Sequence, residues 1–284
     1  MKKVVVLSIA VLVFVVVLGF VKWDKQAQQN EIKAAEFQAE MEEQKKKEFD
    51  SFSTLYQGLL NGDVTKIKLI GDSITAGVGA KGHVIPDDNP VLFKSEGETY
   101  READYEANSW ANLFRNYTNR HFPDVEFINA GIGGKSTVFA NANKEKWVSD
   151  KEDVVFVMLG TNDRWESSSI KEYKSSLEQF LKFVDSKSNL MIVMSPPPAL
   201  TDGTNDRFNF GMKDVDKAVK EVTKKNKYTF ISNYDAIMSY SEDHDLELKE
   251  LLQDTSSHPE DPGYKVIWEH IKKDLTLKNS GYFN

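Results

Sequence analysis

Four short stretches of this chain hold the residue types that acyl transfer needs. Gly71-Asp-Ser-Ile-Thr75 sets a serine on a small turn, and Asn129-Ala-Gly-Ile-Gly-Gly134 and Gly160-Thr-Asn-Asp163 offer glycine N–H groups and an asparagine amide. Asp254-Thr-Ser-Ser-His-Pro259 adds a carboxylate and a histidine. A serine hydroxyl is a weak nucleophile until a base takes its proton and donors hold the oxyanion that develops. The nucleophile elbow Gly-x-Ser-x-Gly is absent, because position 75 is Thr where that motif has Gly. Each stretch is weak alone. Gly-Thr-Asn-Asp even occurs twice, but 160–163 follows the apolar run Val154-Val-Phe-Val-Met-Leu159, whereas 203–206 follows Ser195-Pro-Pro-Pro198 and reads as loop. The weight lies in the set and its order.

Strand-like runs at 64–70, 125–129, 153–158, 189–195 and 228–232 alternate with helix-like stretches near 108–120, 168–186, 212–226 and 262–274. Strands separated by helical patterns predict right-handed βαβ units. The expected fold is therefore three-layer α/β/α around a five-stranded parallel sheet. In such folds ligands bind at the carboxyl edge of the sheet, and the turn after the 64–70 strand puts Ser73 there. Asp72 is read as a brace for the local backbone. Gly82 to Asn108, with seven acidic residues, reads as a long loop beside the site.

Ahead of these elements, Val4 to Val21 is eighteen residues without a charge. As a helix it would span ~27 Å, close to the ~30 Å hydrocarbon core of a bilayer. Trp23 follows at an interfacial position, and Leu-Gly-Phe-Val-Lys-Trp offers no Ala-x-Ala cleavage site. The expected organisation is a transmembrane anchor or uncleaved signal over 1–23, a helical stalk over 24–63 and a catalytic domain over 64–284. Lys2, Lys3 and the terminal amine oppose Lys22 and Lys25, a slight bias toward an internal N-terminus and an extracytoplasmic domain on a single-pass cell-membrane protein. Phe49, Phe52, Leu55, Tyr56 and Leu59 recur at helical spacing and suggest an amphipathic helix docking on the domain.

The formal charge of −8 argues against a nucleic-acid partner. Without cysteine there is no disulfide, thiol nucleophile or thiolate metal site. The histidines at 83, 121, 244, 258 and 270 form no HExxH-like pair, so nothing points to a metal, and no cofactor is implied.

Taken together, the four stretches resemble the blocks of the SGNH hydrolases, also called GDSL esterases and lipases, over residues ~65–275. The resemblance implies a flavodoxin-like SGNH fold with Ser73 as nucleophile and His258 as base. It implies an oxyanion hole made by the Ser73 N–H, the Gly134 N–H (with Gly131 the second choice) and the Asn162 side-chain amide. His258-Pro-Glu-Asp-Pro-Gly-Tyr264 matches the last block. One departure stands out: the family's aspartate lies three residues before the histidine, where this chain has Thr255, so Asp254 is expected to serve from one residue further back. The expected activity is hydrolysis of an ester through an acyl-enzyme, foremost an O-acetyl group on a cell-envelope glycan. A lysophospholipase or lipase, with Val91, Leu92 and Phe93 lining an acyl channel, and an O-acetyltransferase use the same residues. A non-catalytic envelope-binding module on a hydrolase fold is the reading from another class.

Overall fold

A computed structural model describes residues 54–85, 87–149, 151–200, 202, 207–253 and 257–277. The anchor segment, the stalk up to residue 53 and Asp254 lie outside the described residues. Among the described residues no helix is long and apolar enough to cross a membrane.

Five strands form one parallel sheet: β1 (Lys66–Gly71), β4 (Glu126–Gly131), β5 (Glu152–Met158), β6 (Ser188–Ser195) and β7 (Thr229–Ser232). Their spatial order is β4-β1-β5-β6-β7. The chain therefore winds outward in both directions from β1, and the reversal opens a crevice at the carboxyl ends of β1 and its neighbours. Strands buried on both faces carry side chains to each layer with period two. Ile70, Val155, Val157, Met191 and Val193 face a layer built from α4 (Thr137–Trp147), α6 (Ile170–Asp185) and α7 (Met212–Asn226). On the opposite side Phe114 of α3 (Trp110–His121) packs at 5.1 Å from Phe127, 5.3 Å from Phe156 and 5.2 Å from Trp268 of α9 (Asp261–Leu277). Lys66 and Lys68 interrupt the apolar run of β1, and both pair with the buried Glu152 of β5.

A short helix α1 (Thr54–Asn61) buries Leu55, Tyr56 and Leu59, with the Tyr56 ring 6.1 Å from Phe122. The segment after residue 82 differs from the expected loop. It contains an antiparallel hairpin of β2 (Val91–Ser95) and β3 (Glu98–Arg101), joined through Glu96 and Gly97. Both turn residues have positive φ, 52° and 85°, as the two-residue hairpin turn that follows strand twist requires. One further helix, α8 (Asn233–Asp243), completes the outer layers.

Candidate active site

Gly71 at the end of β1 pairs with Gly131 of β4 and with Met158 of β5, so three of the four stretches leave the sheet side by side. Close approach needs the glycines. A Cβ on Gly71 would lie 2.7 Å from the Met158 carbonyl oxygen, and one on Gly131 would lie 2.4 Å from the Ala76 nitrogen. Asp72 then caps the four-residue helix α2 (Ser73–Ala76), its Oδ1 accepting the Ile74 N–H at 3.0 Å. That cap is the local bracing expected of it, and it sets Ser73 at the first helical position. Asn129 fastens the next stretch to the same turn: its Nδ2 donates to the Thr75 carbonyl at 2.9 Å, and its Oδ1 accepts the Gly131 N–H at 3.0 Å.

The 129–134 and 160–163 stretches are tied together in turn. Asn162 Nδ2 donates to the Lys135 carbonyl at 2.9 Å. The Thr137 N–H donates to Asp163, whose carboxylate also accepts the Thr137 hydroxyl at 2.5 Å, and Ser136 donates to Glu166. These bonds join the start of α4 to the short helix α5 (Asp163–Glu166). An asparagine amide has two N–H donors. The bond to Lys135 uses one and orients the other, while Asn162 itself lines the cavity in front of Ser73.

The histidine arrives on a separate loop. Leu252 and Pro259 form an antiparallel bridge, and the Gln253 N–H donates to the His258 carbonyl at 2.9 Å, so the loop folds back on itself at that point. Tyr264, in the first turns of α9, donates its hydroxyl to the Val78 carbonyl at 2.6 Å, and Asp261 accepts the Lys81 N–H at 2.7 Å. Both contacts seat the loop against the serine turn. The result is a 2.7 Å contact between His258 Nε2 and Ser73 Oγ. Burial lowers the His258 pKa below the ordinary imidazole value, and the charge of His83 lowers it further. The ring is therefore neutral, and able to accept a proton, into mildly acidic solution. Burial also raises Asp72 to about 6 and Asp163 to about 7, against the pull of their hydrogen-bond donors.

The structure thus brings Ser73, Asn162 and His258 around one cavity of about 120 Å³. Gly131, the second choice for a donor, has its N–H committed to Asn129. Gly134 has a φ of 75°, and a Cβ on the adjacent Gly133 would lie 3.9 Å from the Ser73 Cβ. Several cavity residues carry no signal in the sequence motifs: Arg164, Trp165, Arg207 and Phe208. Only the position of Arg164 and Trp165 directly after Gly-Thr-Asn-Asp could have drawn attention to them. A second cavity of about 390 Å³ runs under the β2–β3 hairpin and is lined by His83, Ile85, Tyr100, Ile132 and Gly133 among others. His83 is held there by Asp104 at 2.7 Å.

The model of the GDSL-like Lipase/Acylhydrolase family matches residues 69–266, which spans the serine turn, the 129–134 and 160–163 stretches and the histidine loop. The chain belongs to this family. It is accordingly an acylhydrolase, a serine enzyme acting on carboxylic esters. No curated protein matches the sequence. Among solved structures the acylhydrolase is similar to an acetylxylan esterase from Geobacillus stearothermophilus, at 19% identity and a TM-score of 0.54, covering 78% of this chain and 96% of that one. It is also similar to an alpha/beta hydrolase enzyme from the metagenome of Lake Arreo, Spain, at 19% identity and a TM-score of 0.57, covering 76% and 97%. At such identities the likeness speaks for the fold, here a five-stranded α/β sheet of the kind the sequence predicts.

Proposed function

We propose that this acylhydrolase removes short acyl groups, foremost acetyl, from a glycan of the cell envelope. The observation that carries the reading is the 2.7 Å contact between Ser73 Oγ and His258 Nε2 at the wall of a cavity of only about 120 Å³. Pockets for drug-sized ligands measure ~300 Å³ or more, so this one fits an acetyl and not a long chain. The acetylxylan esterase from Geobacillus stearothermophilus has the same fold, which is consistent with that size.

In this mechanism His258 Nε2 takes the Ser73 proton as Oγ attacks the ester carbonyl. The carbonyl oxygen gains the negative charge and is received by the Ser73 N–H, the Gly134 N–H and the second N–H of Asn162. The alcohol leaves with the proton from His258, and water, deprotonated by the same ring, then releases the acid and regenerates the serine. Asp254 completes the triad by orienting the imidazole from the other nitrogen. Residues 4–21 tether the enzyme in the cell membrane with the catalytic domain outside, a placement supported by the uncharged eighteen-residue run and the lysines around it.

The larger cavity under the hairpin favours a second reading, a lysophospholipase. It adjoins Gly133, and Val84 and Ile85 on its rim are exposed apolar side chains. A series of 4-nitrophenyl esters from acetate to dodecanoate separates the two. The acetyl reading expects kcat/KM to be highest at acetate and to fall by at least 10-fold by octanoate. A maximum at eight carbons or beyond would replace it with the lipase reading.

A further inference from the structure

The cavity in front of Ser73 holds two guanidinium groups that the acyl-transfer chemistry does not use. Arg164 is 4% exposed, in a protein whose formal charge is −8. Its Nε donates to the Thr161 carbonyl at 3.2 Å, and its guanidinium carbon lies 4.0 Å from the centre of the Phe208 ring. Among the described residues its terminal nitrogens make no hydrogen bond or ion pair. Asp202 and Asp72 attract its charge from a distance, but neither bonds it. Asp202 accepts the Met212 and Lys213 N–H groups and the Tyr234 hydroxyl, and Asp72 caps α2. Arg207 stands on the same wall, 5.5 Å above Phe208 and 5.8 Å above Trp165.

Burial penalises a cation unless an anion offsets it, and a second cation beside it adds to the penalty. Phe208 and the Thr161 carbonyl offset part of this through cation–π attraction and one hydrogen bond. The planar donor fork of arginine suits bidentate binding of carboxylate or phosphate. Arg164 lines a cavity that also contains the serine, so an anion bound to it lies within a few bonds of the reacting carbonyl.

We propose that the substrate carries an anionic group, a carboxylate or phosphate, close to its scissile ester, and that Arg164 and Arg207 receive it while Trp165 and Phe208 cover its apolar surroundings. The proposal rests on the reading of Ser73 as nucleophile and narrows its substrate class to esters on acidic molecules. The anion belongs either to the alcohol part, as on an acidic glycan, or to the acyl part, as in a dicarboxylic half-ester.

The test compares matched esters on the full-length protein. 4-Acetoxybenzoate is set against its methyl ester for an anion on the alcohol, and 4-nitrophenyl hydrogen succinate against its methyl ester for an anion on the acyl group. One of the two pairs is expected to show a preference in kcat/KM of at least 10-fold for the charged member. That ratio should shrink toward one in Arg207→Gln, a change at an exposed position, and should decline as salt is raised. Arg164→Met, which keeps the packing on Phe208, should lower the ratio further. Ratios near one for both pairs in the unaltered enzyme would overturn the proposal. If no ester is hydrolysed, the serine reading fails first, and calorimetric titration with 4-acetoxybenzoate decides the anion site by itself. Binding that Arg207→Gln abolishes supports the site, and absence of binding overturns it.

Discussion

Ser73→Ala and His258→Ala are each expected to lower kcat for 4-nitrophenyl acetate by roughly 10⁶-fold, and the double variant to be no slower than either. The two side chains act as one unit: without the imidazole the hydroxyl keeps its proton, and without the hydroxyl the imidazole has nothing to activate. Additive losses in the double variant would mean that they act separately. The fold should survive both changes, since Ser73 Oγ donates no backbone-capping bond and the turn is held by Asp72 and Asn129. The same pair sets the pH profile. Burial and the charge of His83 lower the His258 pKa, and a histidine with a lowered pKa stays neutral to lower pH. The acid limb of kcat/KM should therefore have its midpoint below ~6.5, the ordinary imidazole value. His83→Gln removes one source of positive charge, so it should move that midpoint upward. A midpoint at or above 6.5 in the unaltered enzyme, or a downward move in the variant, would contradict the electrostatic account.

Asn162→Ala is expected to lower kcat by about 10²–10³-fold with little change in KM, the pattern of a donor that works on the transition state and not on the bound ester. Its amide is held by the Lys135 carbonyl before any substrate arrives, so no reorganisation accompanies charge development. Asn162→Asp keeps the shape but offers no N–H donor at neutral pH, and it should be at least as impaired. Steady-state kinetics on the same ester decides the matter. A loss confined to KM would make Asn162 a substrate-positioning residue, and a loss below about threefold would remove it from the oxyanion hole.

The parts of the molecule that were legible in the sequence are those where burial and chemistry leave a pattern of residue types. All five sheet strands show as apolar runs because both of their faces are covered, and α7 was expected over 212–226 and is found there. Helices α4 and α8 were missed for a physical reason. The buried positions of α4 are Thr137, Ala140, Asn143 and Trp147, and those of α8 are Asn233, Ile237 and Ser241. Both have helical spacing, but half or more of those side chains are polar and join hydrogen bonds or small gaps, so no apolar stripe marks them. The β2–β3 hairpin hid in an acidic stretch, though Glu96-Gly97 carried a turn signal that could have been weighed. Ser73, Asn162 and His258 stand out in the sequence by their motifs, and the structure brings these three to one cavity. Arg164 and Arg207 were not found, since an arginine in a loop has no spacing rule, and only the fold brings these two to the same wall. His83 was passed over for the same reason, because its partner Asp104 is distant in spacing and close only through the hairpin segment.

The central claim, that Ser73 is the nucleophile of an acyl-transfer site, is tested most directly with diethyl 4-nitrophenyl phosphate and intact-mass spectrometry of the full-length protein. Attack of Ser73 Oγ on phosphorus expels 4-nitrophenolate and leaves one diethylphosphoryl group on the chain. The account predicts a single adduct, mapped by peptide analysis to Ser73, formed far more slowly in His258→Ala and absent from Ser73→Ala. No adduct under conditions that label other serine hydrolases, or one that forms equally in Ser73→Ala, would contradict it.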